Sequence, residues 1–211
     1  RIELLDELQI KACNAYSGLS LPSTPLLLLE FHGTEQSVAE QADQFKMIAS
    51  DHTDQEFIWT TDPAERKKLW KARHDAYYAT MAMMPGAVGQ STDVCVPISR
   101  LAECVEETRL DIEQTGLIST IIGHVGDGNF HCLPMCMPDD HETQDKISAF
   151  TKRLSQRALD FGGTCTGEHG IGQGKQSYLR AELGEAVGVM ESIKQTIDPK
   201  GIMNPGKIFS A

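Results

Sequence analysis

The stretch LISTIIGHVGDGNFHCLPMC, residues 117–136, places two apolar segments on either side of a short glycine-rich patch. The two segments, LISTIIGH and FHCLPMC, are rich in branched and aromatic residues and are typical of β-strands. Between them, the dipeptide Asp127-Gly128 favours a two-residue turn of the primed types. Strands joined by so short a connection run antiparallel, so the stretch predicts an antiparallel hairpin.

The rest of the chain alternates between helical and strand-like patterns. Apolar residues recur at helical spacing in residues 1–17, 35–50, 62–84, 98–116, 139–163 and 185–201. Strand-like runs occupy residues 26–33, 56–61 and 88–97. Together with the hairpin, this order predicts an α+β domain in which helices pack on a largely antiparallel sheet.

The composition restricts the class of protein. A length of 211 residues suffices for a buried core in one large domain or two small ones. The formal net charge of -11 disfavours a nucleic-acid partner, because phosphates would be repelled. No apolar run approaches the roughly 20 residues of a membrane-spanning helix, so no transmembrane segment is predicted. Six cysteines without a CxxC pair indicate reduced, mostly buried thiols.

The glycine-rich patch GHVGDGNFH, residues 123–131, carries two histidines. In a hairpin with a two-residue turn at Asp127-Gly128, His124 faces His131 across the strands, on one face of the sheet. Two imidazoles so placed can bind one cation, whereas in a single continuous strand an offset of seven residues would put them on opposite faces. The alternative is an ordinary hairpin with incidental histidines.

A second glycine-rich patch, CTGEHGIGQGK, spans residues 165–175. Glu168 is a candidate third metal ligand, which would leave an open coordination position, as in catalytic metal sites. The adjacent His169 is a candidate general base. The patch matches neither the phosphate-binding GxxxxGK pattern nor the dinucleotide pattern GxGxxG. Taken alone, it is equally typical of a structural loop.

The helix predicted over residues 62–84 presents Arg66, Trp70, Arg73 and Tyr77 as one stripe. An arginine beside aromatic rings can bind a carboxylate through two nitrogens. The alternative is an amphipathic surface on which arginine side chains cover aromatic packing.

Five segments together resemble a known family. GHVGDGNFH, CTGEHGIGQGK, LWKARHDAYYA, STDVCVP and DPKGIMNPGKIF are similar to the C-terminal domain of FAD-linked 2-hydroxy-acid dehydrogenases of the vanillyl-alcohol-oxidase type. The resemblance extends over the chain and is strongest to the mitochondrial, cytochrome-linked members that oxidise D-lactate. In combination the motifs are specific, although no single motif is.

The resemblance implies roles for seven residues. These are His124, His131 and Glu168 as metal ligands, His169 as catalytic base, Arg73 and Asn129 as substrate-binding residues, and Asn204 beside the flavin. Related enzymes acting on 2-hydroxyglutarate have a lysine just before the aspartate of STDVCVP, where this chain has Ser91 and Thr92. The difference favours a small monoacid as substrate.

The resemblance also implies the surroundings of the domain. Residues 1–211 would form the substrate or cap domain, and a preceding domain would hold most of the FAD. The start in a helical pattern, without an initiator Met, likewise indicates a fragment or one subunit. We expect oxidation of D-lactate to the 2-oxo acid, a divalent metal such as Zn or Mn, an electron acceptor such as cytochrome c, and a mitochondrial location.

Two alternatives remain open from the residues themselves. A site of two histidines and a glutamate can equally activate water, as in a metal-dependent hydrolase. The isolated chain can also be a cap fragment that binds metal without catalysing a reaction.

Overall fold

The computed structural model describes residues 1–55 and 57–209. The strands within these residues are β1 (Ile2–Leu5), β2 (Leu26–Leu29), β3 (Val88–Gly89), β4 (Val94–Cys95), β5 (Ile118–Gly123) and β6 (Asn129–Cys136). The helices are α1 (Glu7–Ser17), α2 (Glu35–Ser50), α3 (Pro63–His74), α4 (Ala76–Ala82), α5 (Ile98–Thr115), α6 (His141–Asp160), α7 (Gln176–Leu183) and α8 (Ala186–Ile197).

The six strands form an antiparallel sheet in the order β2-β1-β5-β6-β3, and β4 pairs with β6 beside β3. Strand β6 pairs with β5 along one side and with β3 and β4 along the other. All eight of its residues are buried, because neighbours cover both its edges and both its faces. It is therefore the rigid centre of the sheet.

Helices cover both faces of the sheet. On one face, α5 and α6 bury a cluster that includes Phe130, Phe150 and Leu154, each fully inaccessible to solvent. On the other face, α1 and α4 bury a second cluster around Leu5 and Ile10. The α+β fold with helices on an antiparallel sheet is confirmed.

The hairpin of β5 and β6 exists, but its predicted register is wrong by two residues. Ile122 lies opposite His131, and the chain between Gly123 and Asn129 forms a 3-10 turn. The turn is longer than two residues because Gly128, at φ +81°, packs against β4; a Cβ atom there would lie 2.1 Å from the Val96 carbonyl oxygen. A shift of two residues leaves every side chain on its predicted face, because the strand period is two.

The single helix predicted over residues 1–17 is wrong at its start, where residues 2–5 form β1. Asp6 begins α1 instead, because its extended backbone and its carboxylate, which accepts a hydrogen bond from Gln9 N, provide an N-cap. The same carboxylate accepts from Ile121 N, at 2.9 Å, and so ties the start of α1 to β5.

Two further predictions need correction. Residues 57–61 form no strand, and Glu56 lies outside the described residues. The helix expected over residues 62–84 is divided at Asp75, which ends α3 and begins α4. Helix α7 was not predicted, because Gly172 and Gly174 precede it and no side chain caps its start.

The state of the cysteines agrees with the prediction of reduced, mostly buried thiols. All six cysteines are free, and five of them are buried. None of the helices in the described ranges is both long and apolar enough to cross a membrane.

Asp6 predicts a pH dependence of stability. Burial raises the pKa of Asp6 to about 6, above its usual 3.8. Between about pH 4 and 6 the folded state therefore binds a proton that the unfolded state has released, so this group destabilises the fold as the pH rises through that window. Urea unfolding should be used to measure the free energy of unfolding of the parent and of Asp6→Asn. The value for the parent minus the value for the variant should decrease from pH 4 to pH 7.

Glu7→Gln is the matched control, because Glu7 is exposed and neighbours Asp6. A difference between parent and Asp6→Asn that stays constant across this pH range would contradict the assignment.

Candidate metal and substrate site

The side chains of Glu3, His124 and His131 lie on one face of the sheet. Side chains alternate along a strand, so Glu3 shares its face with Leu5. Leu5 pairs with Ile122, which in turn pairs with His131. His124 follows Ile122 by two residues and is therefore a diagonal neighbour of His131, with ring centroids 6.2 Å apart. The two histidines that the hairpin was expected to bring together do lie close.

His131 directs a lone pair at a carboxylate. Its Nδ1 lies 2.9 Å from the Thr92 carbonyl oxygen and so carries the proton of the neutral ring. Burial lowers the pKa of His131, which favours that neutral form. The acceptor Nε2 nevertheless lies 3.0 Å from Oε1 of Glu168. Two acceptors at this distance repel each other unless a cation or a proton lies between them.

His124 has the same arrangement. Its Nδ1 lies 2.8 Å from Oε1 of Glu3, and an ionised carboxylate can only accept, so Nδ1 donates. The remaining nitrogen, Nε2, faces Oε1 of Glu168 at 3.8 Å. Two imidazole Nε2 atoms thus converge on one carboxylate oxygen.

The ligand atoms of His124, His131 and Glu168 lie within 4.8 Å of one another and suit a divalent cation. A donor set of two nitrogens and one oxygen is compatible with Zn, Mn or Fe. Asp93, His131 and His169 meet the same distance limit. That second set is a poorer donor set, because the carboxylate of Asp93 already accepts several hydrogen bonds within the protein.

Asp93 holds the loop that carries Glu168 and His169. Its carboxylate, which is fully buried, accepts hydrogen bonds from the backbone N–H groups of Glu168 and His169, at 3.1 and 2.9 Å. It also accepts from Asn129 Nδ2 and Thr166 Oγ1, at 2.8 and 2.9 Å. A loop without regular structure is thereby fixed against β4 and β6.

The charge of Asp93 is stabilised by these partners. Burial alone would raise the pKa of this carboxyl group, but the donors at His169, Asn129 and Glu168, together with the charge of Lys175, hold the pKa well below its usual value. The group is therefore ionised throughout the neutral range.

Gly167 allows the loop to approach this closely. A Cβ atom at this position would lie 2.0 Å from Nδ2 of Asn129 and 3.0 Å from Oδ1 of Asp93. Only a residue without a side chain fits between the loop and the two polar groups that hold it.

His169 lies at the open side of the cluster. Its ring stacks on His131, with centroids 5.0 Å apart and an interplanar angle of 10°. Its Nε2 is 3.7 Å from Oε1 of Glu168, and 47% of its side chain is exposed. The expected base is thus beside the expected metal ligands and accessible to a substrate.

Arg73 contacts the site through Glu3. Its Nε and Nη2 lie 3.0 and 2.9 Å from Oε2 of Glu3, and no other hydrogen bond of Arg73 occurs within the described ranges. The Nη1 end of the guanidinium therefore remains available for a ligand carboxylate. The ring of Trp70, on the same helix, is covered by Arg1. The predicted stripe ends at Arg73, because Tyr77 belongs to α4.

Asn129 is buried behind the loop. Both N–H groups of its amide are used, in hydrogen bonds to Asp93 and to the Val94 carbonyl oxygen, at 2.8 and 2.9 Å. Its Oδ1 is buried and has no hydrogen-bond partner within residues 1–55 and 57–209. Asn129 therefore supports the loop through Asp93, and its amide N–H groups are not free to bind a ligand.

Asn204 lies on the exposed C-terminal segment, with a left-handed φ of 47°. The segment is attached close to the glycine-rich loop: Ile208 N donates to Gly172 O, at 2.6 Å, and Gln176 Nε2 donates to Gly206 O, at 2.9 Å. Asn204 itself is not brought into the cluster of histidines.

Sequence reasoning missed two carboxylates of the site. The sequence pattern predicts a helix at Glu3, and the pairing of Glu3 with His124 depends on a contact between residues 121 positions apart. Asp93 lies in a predicted strand and directly precedes β4 in the structure. Neither residue carries a local signal, since the specific partners that a buried carboxylate needs are brought to it only by the fold.

Comparison with known proteins agrees with this fold. Residues 1–208 match the family described as FAD linked oxidases, C-terminal domain, and the chain belongs to that family. It is 50% identical over 210 residues to a protein named probable D-lactate dehydrogenase, mitochondrial, from Danio rerio. It is 44% identical over 210 residues to D-lactate dehydrogenase [cytochrome], mitochondrial, from Arabidopsis thaliana.

These alignments cover 99% of the chain but only 42% and 37% of the two relatives, so the chain spans about two fifths of their length. Among solved structures, 4-ethylphenol oxidase from Gulosibacter chungangensis matches 98% of this chain and 47% of its own, with a TM-score of 0.70 and 14% identity. At that identity the similarity demonstrates the fold alone.

Gly167 provides a test of how the loop is held. In Gly167→Ala the added methyl group should push the loop away from Asp93 and Asn129, so the hydrogen bonds from Glu168 N and His169 N should weaken. Amide hydrogen exchange of these two groups, measured by NMR, should accelerate roughly tenfold or more.

Gly174→Ala is the matched control, because a Cβ atom there meets nothing within 4 Å. Exchange rates in Gly167→Ala equal to those of the control would show that the loop is held in another way.

Proposed function

We propose that this chain is the substrate domain of an FAD-dependent dehydrogenase that oxidises D-lactate, or a similar small 2-hydroxy acid, to the 2-oxo acid. The observation that carries the proposal is the convergence of the Nε2 atoms of His124 and His131 on Oε1 of Glu168, with His169 stacked alongside. Family membership and the names of the relatives from Danio rerio and Arabidopsis thaliana support it.

In this proposal, FAD is bound mainly by another part of the protein. Within the described ranges, the segment 202–209 around Asn204 is exposed and offers no buried cradle for a dinucleotide. We therefore infer that residues 1–211 are the C-terminal substrate domain and that a preceding domain holds most of the FAD, with Asn204 near the flavin. When bound, FAD would supply the acceptor for the hydride from C2 of the substrate.

The metal ligands in this proposal are His124, His131 and Glu168. Their donor set fits Zn or Mn, and three protein ligands leave a position for the substrate. A divalent cation at this point would supply a Lewis acid that lowers the pKa of the substrate hydroxyl.

The chain's own side chains then orient the substrate and move its proton. Arg73 binds the substrate carboxylate through the Nη1 end of its guanidinium, opposite the edge that contacts Glu3. His169, at the open side of the cluster, accepts the hydroxyl proton as general base. Asn129 belongs to the wall of the site behind the loop, where it supports the loop through Asp93. Such fixed orientation directs the C2–H bond towards the acceptor.

The remaining features of the proposal concern substrate size, electron acceptor and location. Lys175 is the cation nearest to Asp93, but its Nζ donates to the Asp93 carbonyl oxygen at 2.9 Å. With Ser91 and Thr92 before Asp93 and Lys175 engaged, the described residues around Asp93 offer no free cation for a second carboxylate, which favours a monoacid. By analogy with the mitochondrial, cytochrome-linked relatives, we propose cytochrome c as acceptor and a mitochondrial location.

The hydrolase alternative is not favoured. The family is that of FAD linked oxidases, and the named relatives are dehydrogenases rather than hydrolases.

His169→Ala tests the base. Turnover of D-lactate by the flavin-containing protein should fall by about 10²–10⁴-fold, the usual contribution of a positioned base. The metal content should not change, because His169 is not one of the three ligands. The control is His141→Ala, which alters an exposed histidine at the start of α6. Near-normal turnover in His169→Ala would remove His169 from the proposed role.

His124→Ala tests the metal site separately. Elemental analysis of the purified protein should find about one equivalent of a divalent metal such as Zn or Mn. The variant should lose most of it, because one of three ligands is gone. His32→Ala, which alters an exposed histidine, is the control. Equal metal content in the parent and in His124→Ala would refute the ligand assignment.

A further inference from the structure

The buried carboxylate of Glu3 connects two parts of the site. Its side chain is fully inaccessible to solvent, and each oxygen has its own partners. Oε1 lies 2.8 Å from His124 Nδ1 and 2.8 Å from Arg1 Nε. Oε2 lies 3.0 and 2.9 Å from Nε and Nη2 of Arg73. One rigid group thus touches both the expected metal ligand and the expected substrate-binding residue.

Burial of Glu3 is tolerated because of these partners. Oε1 accepts hydrogen bonds from Arg1 Nε and His124 Nδ1, and Oε2 accepts from Arg73 Nε and lies 2.9 Å from Arg73 Nη2, so the buried negative charge is compensated at both oxygens. An ionised carboxylate that is fully desolvated and has three partners is held in one position, since any displacement breaks a charged hydrogen bond.

We propose that Glu3 is a positioning residue that sets the tautomer of His124 and the orientation of Arg73 together. By accepting the Nδ1 proton of His124, it leaves Nε2 free to bind the metal. By occupying the Nε edge of Arg73, it turns the Nη1 end towards the substrate. The inference rests on the proposed function, because it concerns how the same metal and substrate are bound.

A carboxylate behind a metal-bound histidine has a measurable effect. Loss of such a partner typically lowers metal affinity by about 10- to 100-fold, because the ring is no longer held in the correct tautomer and orientation. Glu3 would affect substrate affinity as well, through Arg73. A purely structural ion pair would change the stability of the fold but neither affinity.

The test compares Glu3→Gln with Glu30→Gln in the purified protein. Glu30 is the matched control, because its carboxylate pairs with Arg66 of the same helix α3, at 2.7 Å, and with His32, and within the described residues it has no ion pair with His124 or Arg73. Calorimetric titration with Mn²⁺ should give a dissociation constant raised about 10- to 100-fold in Glu3→Gln and unchanged in Glu30→Gln. The KM for D-lactate should rise in Glu3→Gln alone.

A second variant covers the case in which Glu3→Gln does not fold. Glu3→Asp keeps the negative charge between Arg1 and Arg73 but shortens the side chain by one methylene. Its carboxylate therefore no longer reaches both His124 and Arg73. Mn²⁺ affinity should therefore fall at least threefold. Near-UV circular dichroism checks that the variant is folded.

The outcomes separate this inference from the proposed function. A parent protein that binds Mn²⁺, with Glu3 variants of equal affinity and KM, would overturn the inference and leave the metal site standing. Equal losses in Glu3→Gln and Glu30→Gln would also overturn it, because they would reflect the stability of the β1–β2 edge. A parent protein that binds no divalent metal would overturn both.

Discussion

The arrangement of the site depends on the burial of the Asp93 carboxylate. A buried negative charge is costly unless donors surround it, and here the donors are two backbone N–H groups of the glycine-rich loop and the side chains of Asn129 and Thr166. Because Asp93 is anchored in the sheet beside β4, it transfers the rigidity of the sheet to a loop that has no regular structure. Glu168 and His169 are thus held in place without lying on a helix or a strand.

Much of the fold could be predicted, because it depends on local pattern. Helices α2 and α5 and the hairpin of β5 and β6 follow from apolar spacing and glycine positions. The errors arise where tertiary contacts decide. Residues 2–5 become a strand because β2 and β5 flank them, although their pattern continues into a helix. The turn is longer than expected because Gly128 packs on Val96, which no local rule includes.

The ligands of the candidate site could be named from sequence, whereas the groups that support them could not. His124 and His131 share a face of the sheet in the predicted and in the observed register, because a shift of two residues leaves each side chain on the same face. Glu168 and His169 stand out among glycines. In contrast, Glu3 lies in a short strand, Asp93 directly precedes one, and neither has distinguishing neighbours in sequence. Their importance arises only from the partners that the fold brings to them, at His124 and at the loop.

The groups of the site are spread along the chain, from residue 3 to residue 169. His124 and His131 meet within one hairpin, but Glu3 and Glu168 reach them only through contacts between residues far apart in sequence. A cation that needs Glu168 as its third ligand would therefore find its complete site only after the sheet and the glycine-rich loop have assembled. It would bind a finished scaffold, and it would slow unfolding rather than accelerate folding.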